Sequence, residues 1–226
     1  MPKTLSTLIS TAWAIFLKDA KVELRTRYTL TSLTMFSVIA LSCVSMTISG
    51  ASLSSELAAS LLWITIFFAA MAGLSRGFVA EEESGTLFTL KIYSQGLNVF
   101  LGKLLFNLLI LFWLTILIVP LFILFINLKT QPLWISFFLV LILGVIGIST
   151  TSTLTAAMVI KAQGKHALFA VLTFPIILPL LLSVVGATAK SLGGVWPDFK
   201  DILFLLGFDI SLLAAAVLLF DFLWDE

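Results

Sequence analysis

The feature that most constrains this chain is a series of long runs without a single charged residue. They are Tyr28 to Ser55, Leu57 to Ser75, Leu104 to Leu128, Thr130 to Ile160 and Ala167 to Ala189. A sixth, Ile202 to Phe220, is broken only by Asp209. A helix crosses the hydrocarbon of a bilayer with about 20 mainly apolar residues, so each run is long enough to span. The charged share is 11%, against roughly a quarter in soluble domains, so most of the surface has to face lipid. The chain therefore reads as an all-α integral membrane protein, one domain over 1–226. Its spans are expected at 28–50, 57–75, 104–127, 134–157, 167–187 and 202–223, with Gln131-Pro132 as a turn before the fourth.

Orientation follows from lysine and arginine, which accumulate on the cytoplasmic side. Lys3, Lys18, Lys21, Arg25, Arg27, Arg76, Lys91, Lys103, Lys161 and Lys165 fall on one side of this layout, and Lys129, Lys190 and Lys200 on the other. Both termini are thus expected in the cytoplasm. Within the N-terminal segment 1–27, Leu5, Leu8, Ile9, Ala12 and Phe16 form a helical stripe, and Lys18, Lys21 and Arg25 continue along the opposite face. That pattern suits an amphipathic elbow lying in the membrane interface. A cleaved signal peptide would need a more apolar centre than one containing Ser6, Thr7, Ser10 and Thr11.

Several chemistries are unsupported. The net charge of +1 gives no basic field for nucleic acid. Gly96 to Lys103 evokes a phosphate-binding loop, but five residues separate its glycines and Leu104 stands where a magnesium-holding hydroxyl is needed. Any nucleotide hydrolysis is expected in a partner. Cys43 and His166 are single, so zinc, haem and serine-nucleophile arrangements lack their second residue, and no cofactor is expected on this chain alone. The chain is not expected to be an enzyme.

The longest cytoplasmic connection, 76–103, is the informative one. Glu81-Glu82-Glu83 precedes Ser84-Gly85 and then the apolar Thr86-Leu87-Phe88-Thr89-Leu90. This order describes a short amphipathic element after a glycine turn; a solvated loop is the plainer alternative. Lys18 to Arg27 resembles the elbow of ABC-2-type exporter permeases. Gly73 to Phe78, Glu81 to Leu87 and Leu101-Gly102-Lys103 resemble the segment after their second span. Taken with length, six-span layout and the paired prolines Pro175 and Pro179, the chain resembles the haem exporter protein B (CcmB) family. Phe88 followed by Lys91 departs from the acidic residue common after Gly-Thr-Leu in ABC-2 permeases.

The resemblance implies an ABC-2-type permease-like bundle in the bacterial inner membrane. Its implied partners are a cytoplasmic ABC ATPase, a tryptophan-rich haem-handling membrane subunit and a small single-span subunit, and it leaves room for a second copy of the chain. Together they would release a haem-loaded chaperone for cytochrome c maturation, with ATP hydrolysed by the partner and haem handled by the complex. The expected ATPase-coupling residues are Arg76, Glu81, Glu82, Glu83, Gly85, Thr86, Leu87 and Leu90. An ABC-2 exporter of a drug, lipid or glycan, or a non-transporting assembly factor, would share this architecture. Trp196-Pro197-Asp198 reads as an interfacial anchor.

Three further residues stand out inside the spans. Asp209 lies about 10 Å into the sixth, reckoned from Asp201 at 1.5 Å per residue, where an ionisable group is expensive and normally faces the bundle interior. It is a gating candidate, with a shortened span and a wet rim as the alternative. Pro175 and Pro179 remove two backbone donors from one helix. The hydroxyl-rich stretch Ser149 to Thr155 allows close helix packing.

Overall fold

The computed structural model describes residues 5–48, 50, 52–74, 76–160 and 165–225, without the side chains of 5–7, 76, 79, 165–166, 221–223 and 225. Among these residues nine helices follow one another: α1 (Leu5–Thr26), α2 (Tyr28–Ile48), α3 (Ser55–Gly73), α4 (Arg76–Glu83), α5 (Thr86–Tyr93), α6 (Gly96–Phe125), α7 (Trp134–Met158), α8 (Lys165–Leu192) and α9 (Phe199–Asp225). Six are long and apolar enough to cross a membrane: α2, α3, α6, α7, α8 from Ala167, and α9 to Phe220. The chain is an all-α membrane protein. The third span starts earlier than the charge-free run indicates: α6 begins at Gly96, so Lys103 sits inside the helix and not in the connection before it. His166 falls in the first turn of α8, with its side chain outside the described part.

Helix α7 is the centre of the bundle, packed against α6, α8 and α9. Its hydroxyl stretch is wholly buried from Ser149 to Thr155. Thr150, Thr151, Thr153 and Thr155 donate to carbonyls four residues back, so their hydroxyls are satisfied locally and neighbouring helices can approach. Two reach across as well. Asn107 Nδ2 of α6 donates to Thr153 Oγ1 at 2.8 Å, and the Thr155 and Thr173 hydroxyls of α7 and α8 lie 2.8 Å apart. Gly144 completes the fit: a Cβ there would fall 2.1 Å from Cη2 of Trp63, whose Nε1 donates to Thr188 of α8 at 2.8 Å. Small residues at such crossings permit packing where lipid offers helices no hydrophobic drive to associate. At one end of the bundle Lys190 pairs with Asp198 and Asp201 at 2.7 and 2.6 Å, tying the α8–α9 connection.

At the other end α1 turns into α2 at Arg27, which takes a left-handed φ of 53°. The Glu23 carboxylate accepts the Leu30 backbone N–H at 2.8 Å, covering a donor in the first turn of α2 that no helical carbonyl can reach. Helix α1 lies along α6, because Gly102 lets the α1 backbone come close: a Cβ at 102 would sit 2.8 Å from the Ala12 carbonyl oxygen. The buried face of α1 carries Ala12, Ile15, Asp19 and Glu23; the first three meet α6 and Glu23 meets α2. Another stripe, Ile9, Trp13, Leu17 and Leu24, is exposed.

Candidate functional site

Asp19 of α1, Glu81 of α4 and Lys103 of α6 meet where these three helices converge. Lys103 is 1% exposed. Its Nζ lies 2.8 Å from Asp19 Oδ2 and 2.9 Å from Glu81 Oε1, and it donates to the Gly77 carbonyl at 2.8 Å. Two protons of its ammonium are thus spent in hydrogen bonds to Glu81 and Gly77, while Asp19 Oδ2 is a close ion-pair partner without hydrogen-bond geometry. The Phe78 ring, with its centroid 5.5 Å from Nζ, adds a cation–π contact. Lys18 caps the group from outside, contacting Asp19 Oδ1 at 3.3 Å and also Glu81.

Glu81 is the residue through which the loop region is tied down. Its Oε2 accepts the Thr86 hydroxyl at 2.5 Å, and the Ser84 and Thr86 hydroxyls lie 2.8 Å apart. These contacts fold α5 back on α4 through Gly85, whose φ of 71° is in the left-handed region that glycine adopts without a Cβ penalty. Burial pushes the Glu81 carboxyl up, but Lys103, Lys18 and Thr86 together outweigh it and hold it at about 2. For Lys18, partial burial works against the charged form, and Asp19 and Glu81 overcome it and raise the ammonium.

The hairpin has two unlike faces. Leu87 and Leu90 are half-buried and pack against the core, while Phe88, Ile92 and Tyr93 are 73%, 63% and 79% exposed. Glu82 is half-buried and Glu83 exposed; the side chain of Arg76 is outside the described residues. Of the acidic and hydroxyl residues expected to face a partner, Glu81 faces inward instead, and Thr86, itself exposed, turns its hydroxyl back to Glu81. A carboxylate at 81 that turned outward would leave Lys103 buried with one counter-charge fewer, and the inward position removes that cost.

Asp209 is separate from this cluster. It is buried between α7, α8 and α9, against Gly147, where a Cβ would lie 2.6 Å from Oδ1 and 2.5 Å from a Leu180 methyl. Neither of its oxygens has a hydrogen-bond partner among the described residues. Pro175 and Pro179 stand on the exposed side of α8, which continues as helix through both. The hub lysine is the residue that sequence reasoning misplaced. Its signal was present: Asp19 and Glu23 fall four residues apart on the face of α1 that begins with Ala12 and Ile15, so two acids continue an apolar stripe and call for a buried cation opposite.

A protein-family model described as "CcmB protein" matches residues 10–223. The chain belongs to the CcmB family. CcmB proteins are the membrane subunit of a haem exporter for cytochrome c maturation, and this chain is a multi-pass, permease-type member. A search of the curated proteins returned no match. The match takes in α2 to α8 whole and all but the ends of α1 and α9, so the charge hub, the α4–α5 hairpin and Asp209 all lie within it.

Proposed function

We propose that this CcmB-family chain couples a separate cytoplasmic ABC ATPase to release of the haem-loaded chaperone used in cytochrome c maturation. In this reading ATP is hydrolysed by the ATPase, haem is handled by the wider complex including a tryptophan-rich membrane subunit and a small single-span subunit, and both termini lie in the cytoplasm of a bacterial inner membrane. The observation that carries it is the α4–α5 hairpin. Glu81 ties its root to Lys103, which also pairs with Asp19 of α1, while Phe88, Ile92 and Tyr93 present an apolar surface outward. A short amphipathic helix with one face free fits a partner's groove, and a rooted helix transmits displacement to α1 and α6.

The exposed residues shift the expected contact from Leu87 and Leu90 to Phe88, Ile92 and Tyr93. Acidic residues such as Glu83 would set orientation, because exposed ion pairs add only about 0–1 kcal/mol each. The test is co-purification of the ATPase with Phe88→Asp/Ile92→Asp. Loss of the ATPase from a membrane-inserted, monodisperse protein is expected, with cytochrome maturation lost in parallel. Full retention of the ATPase would overturn the coupling role of the hairpin.

A further inference from the structure

Beside the charge hub lies a cavity of about 610 Å³, walled by α1, α2, α4 and α5 with Gly73 and Phe106 behind. Thr29, in the first turn of α2, and Gly73, at the end of α3, both line it. It therefore sits where two spans enter and leave the apolar slab, at the level of lipid headgroups. Most of its wall is apolar, including Val22, Leu90 and Phe106, and its polar residues include Lys18, Asp19, Glu23 and Glu81. Asp19 and Glu81 are neutralised by Lys103. Glu23 is not: it is 8% exposed, and the hydrogen bond from Leu30 N–H is the one its carboxylate receives among the described residues. No lysine or arginine with a described side chain pairs with it. A buried carboxylate facing a cavity without a counter-cation leaves a place for one.

We propose that this cavity holds one phospholipid with a primary-amine headgroup, drawn from the leaflet that the elbow α1 lies against. The ammonium would meet Glu23, a charge-assisted pair stronger than a neutral hydrogen bond. The phosphate would lie toward Lys18, whose side chain is 43% exposed at the mouth, and the first acyl carbons would follow the apolar wall. Three carboxylates, Asp19, Glu23 and Glu81, against two ammoniums, Lys18 and Lys103, leave an excess negative charge, which disfavours an anionic headgroup. The bound lipid would fill the gap between elbow and hairpin, the two elements that the hub joins. The proposal rests on the chain spanning a membrane and not on ATPase coupling, so lipid retention is measured with and without the ATPase present.

The experiment is native mass spectrometry of the full-length protein with its co-purifying subunits, delipidated in neutral detergent and then supplied with dioleoyl phosphatidylethanolamine, phosphatidylglycerol or phosphatidylcholine. One retained ethanolamine lipid is expected, preferred over the glycerol and choline lipids by about tenfold, the worth of one charge-assisted hydrogen bond. Glu23→Gln should remove that preference. Ala80→Trp, at an exposed position on the cavity wall, should abolish retention without touching the α2 contact of Glu23. Equal retention of the three lipids by the wild type, an unchanged preference in Glu23→Gln, or retention in Ala80→Trp would each overturn the proposal.

Discussion

Replacing Lys103 by Met keeps the length of the side chain and deletes its charge. Asp19 and Glu81 then remain buried, 9% and 6% exposed, with only Lys18 to oppose them. Breaking a buried pair by removing one partner costs about 3–5 kcal/mol, because the charge left behind is uncompensated. Lys18 still contacts both carboxylates, which places the expected loss at the lower end, about 3 kcal/mol. The loss of the Gly77 carbonyl's donor adds about 1 kcal/mol. For a chain of this size each kcal/mol moves the thermal midpoint by about 2–4 °C, so a fall of roughly 8–16 °C is expected.

The assay is thermal unfolding of purified protein in one detergent at pH 7, with Lys18→Ala and the triple variant Asp19→Asn/Glu81→Gln/Lys103→Met beside it. Lys18 is half exposed, so its removal should cost only about 0–1 kcal/mol. The triple variant replaces both stranded charges by neutral isosteres and should recover most of the single variant's loss. A Lys103→Met protein as stable as wild type, or a triple variant no better than the single one, would refute the account of Lys103 as a charge hub.

Other expectations follow from the same geometry. The Glu81 carboxyl is held at about 2, below the ordinary value of 4.5, so the stability it contributes is complete above that ordinary value and is lost as pH falls from there through about 2; Glu81→Gln should flatten the acid limb of a midpoint-against-pH curve. Gly144→Ala should destabilise by about 1–3 kcal/mol in the same unfolding assay, since Trp63 fills the space and its Nε1 bond to Thr188 resists a shift. Reporter fusions at Ser94 and Val195 should give opposite sides of the membrane, as the lysine and arginine asymmetry requires; the same side for both would contradict a six-span layout.

The spans were legible because lipid imposes a one-dimensional requirement, a long charge-free run, that can be read residue by residue. The start of α6 was not, because Lys103 interrupts the run and a lysine at such a place counts by default as a cytoplasmic charge. Its burial depends on Asp19 and Glu81, which are remote in sequence and reach it only after α1 has packed on α6 through Gly102. The facing of the hairpin was lost for a related reason. Leu87 and Phe88 are equally apolar in sequence, and which one turns inward is decided by the Glu81–Thr86 contact across Gly85. Trp63 and Gly144 form a matching pair from two separate spans, and nothing local in either run marks them as neighbours.

Lys103 and Asp209 are both charged-type residues within spans, and their surroundings separate them. Lys103 has two hydrogen-bond acceptors and two carboxylate counter-charges, whereas Asp209 meets Gly147 and Leu180 and has no hydrogen-bond partner among the described residues. A buried polar group left unsatisfied costs about 1–3 kcal/mol, so truncating it should stabilise the bundle. Asp209→Ala is therefore expected to raise the thermal midpoint, the opposite sign to Lys103→Met. A residue that costs stability is explained if function requires it, because active positions are often retained against stability. Asp209→Ala should then lower cytochrome c maturation while the protein stays inserted and associated with its ATPase. A lower midpoint would show that the carboxyl has a partner in the assembled protein. A higher midpoint with full maturation would show that Asp209 is tolerated in the membrane without taking part in gating.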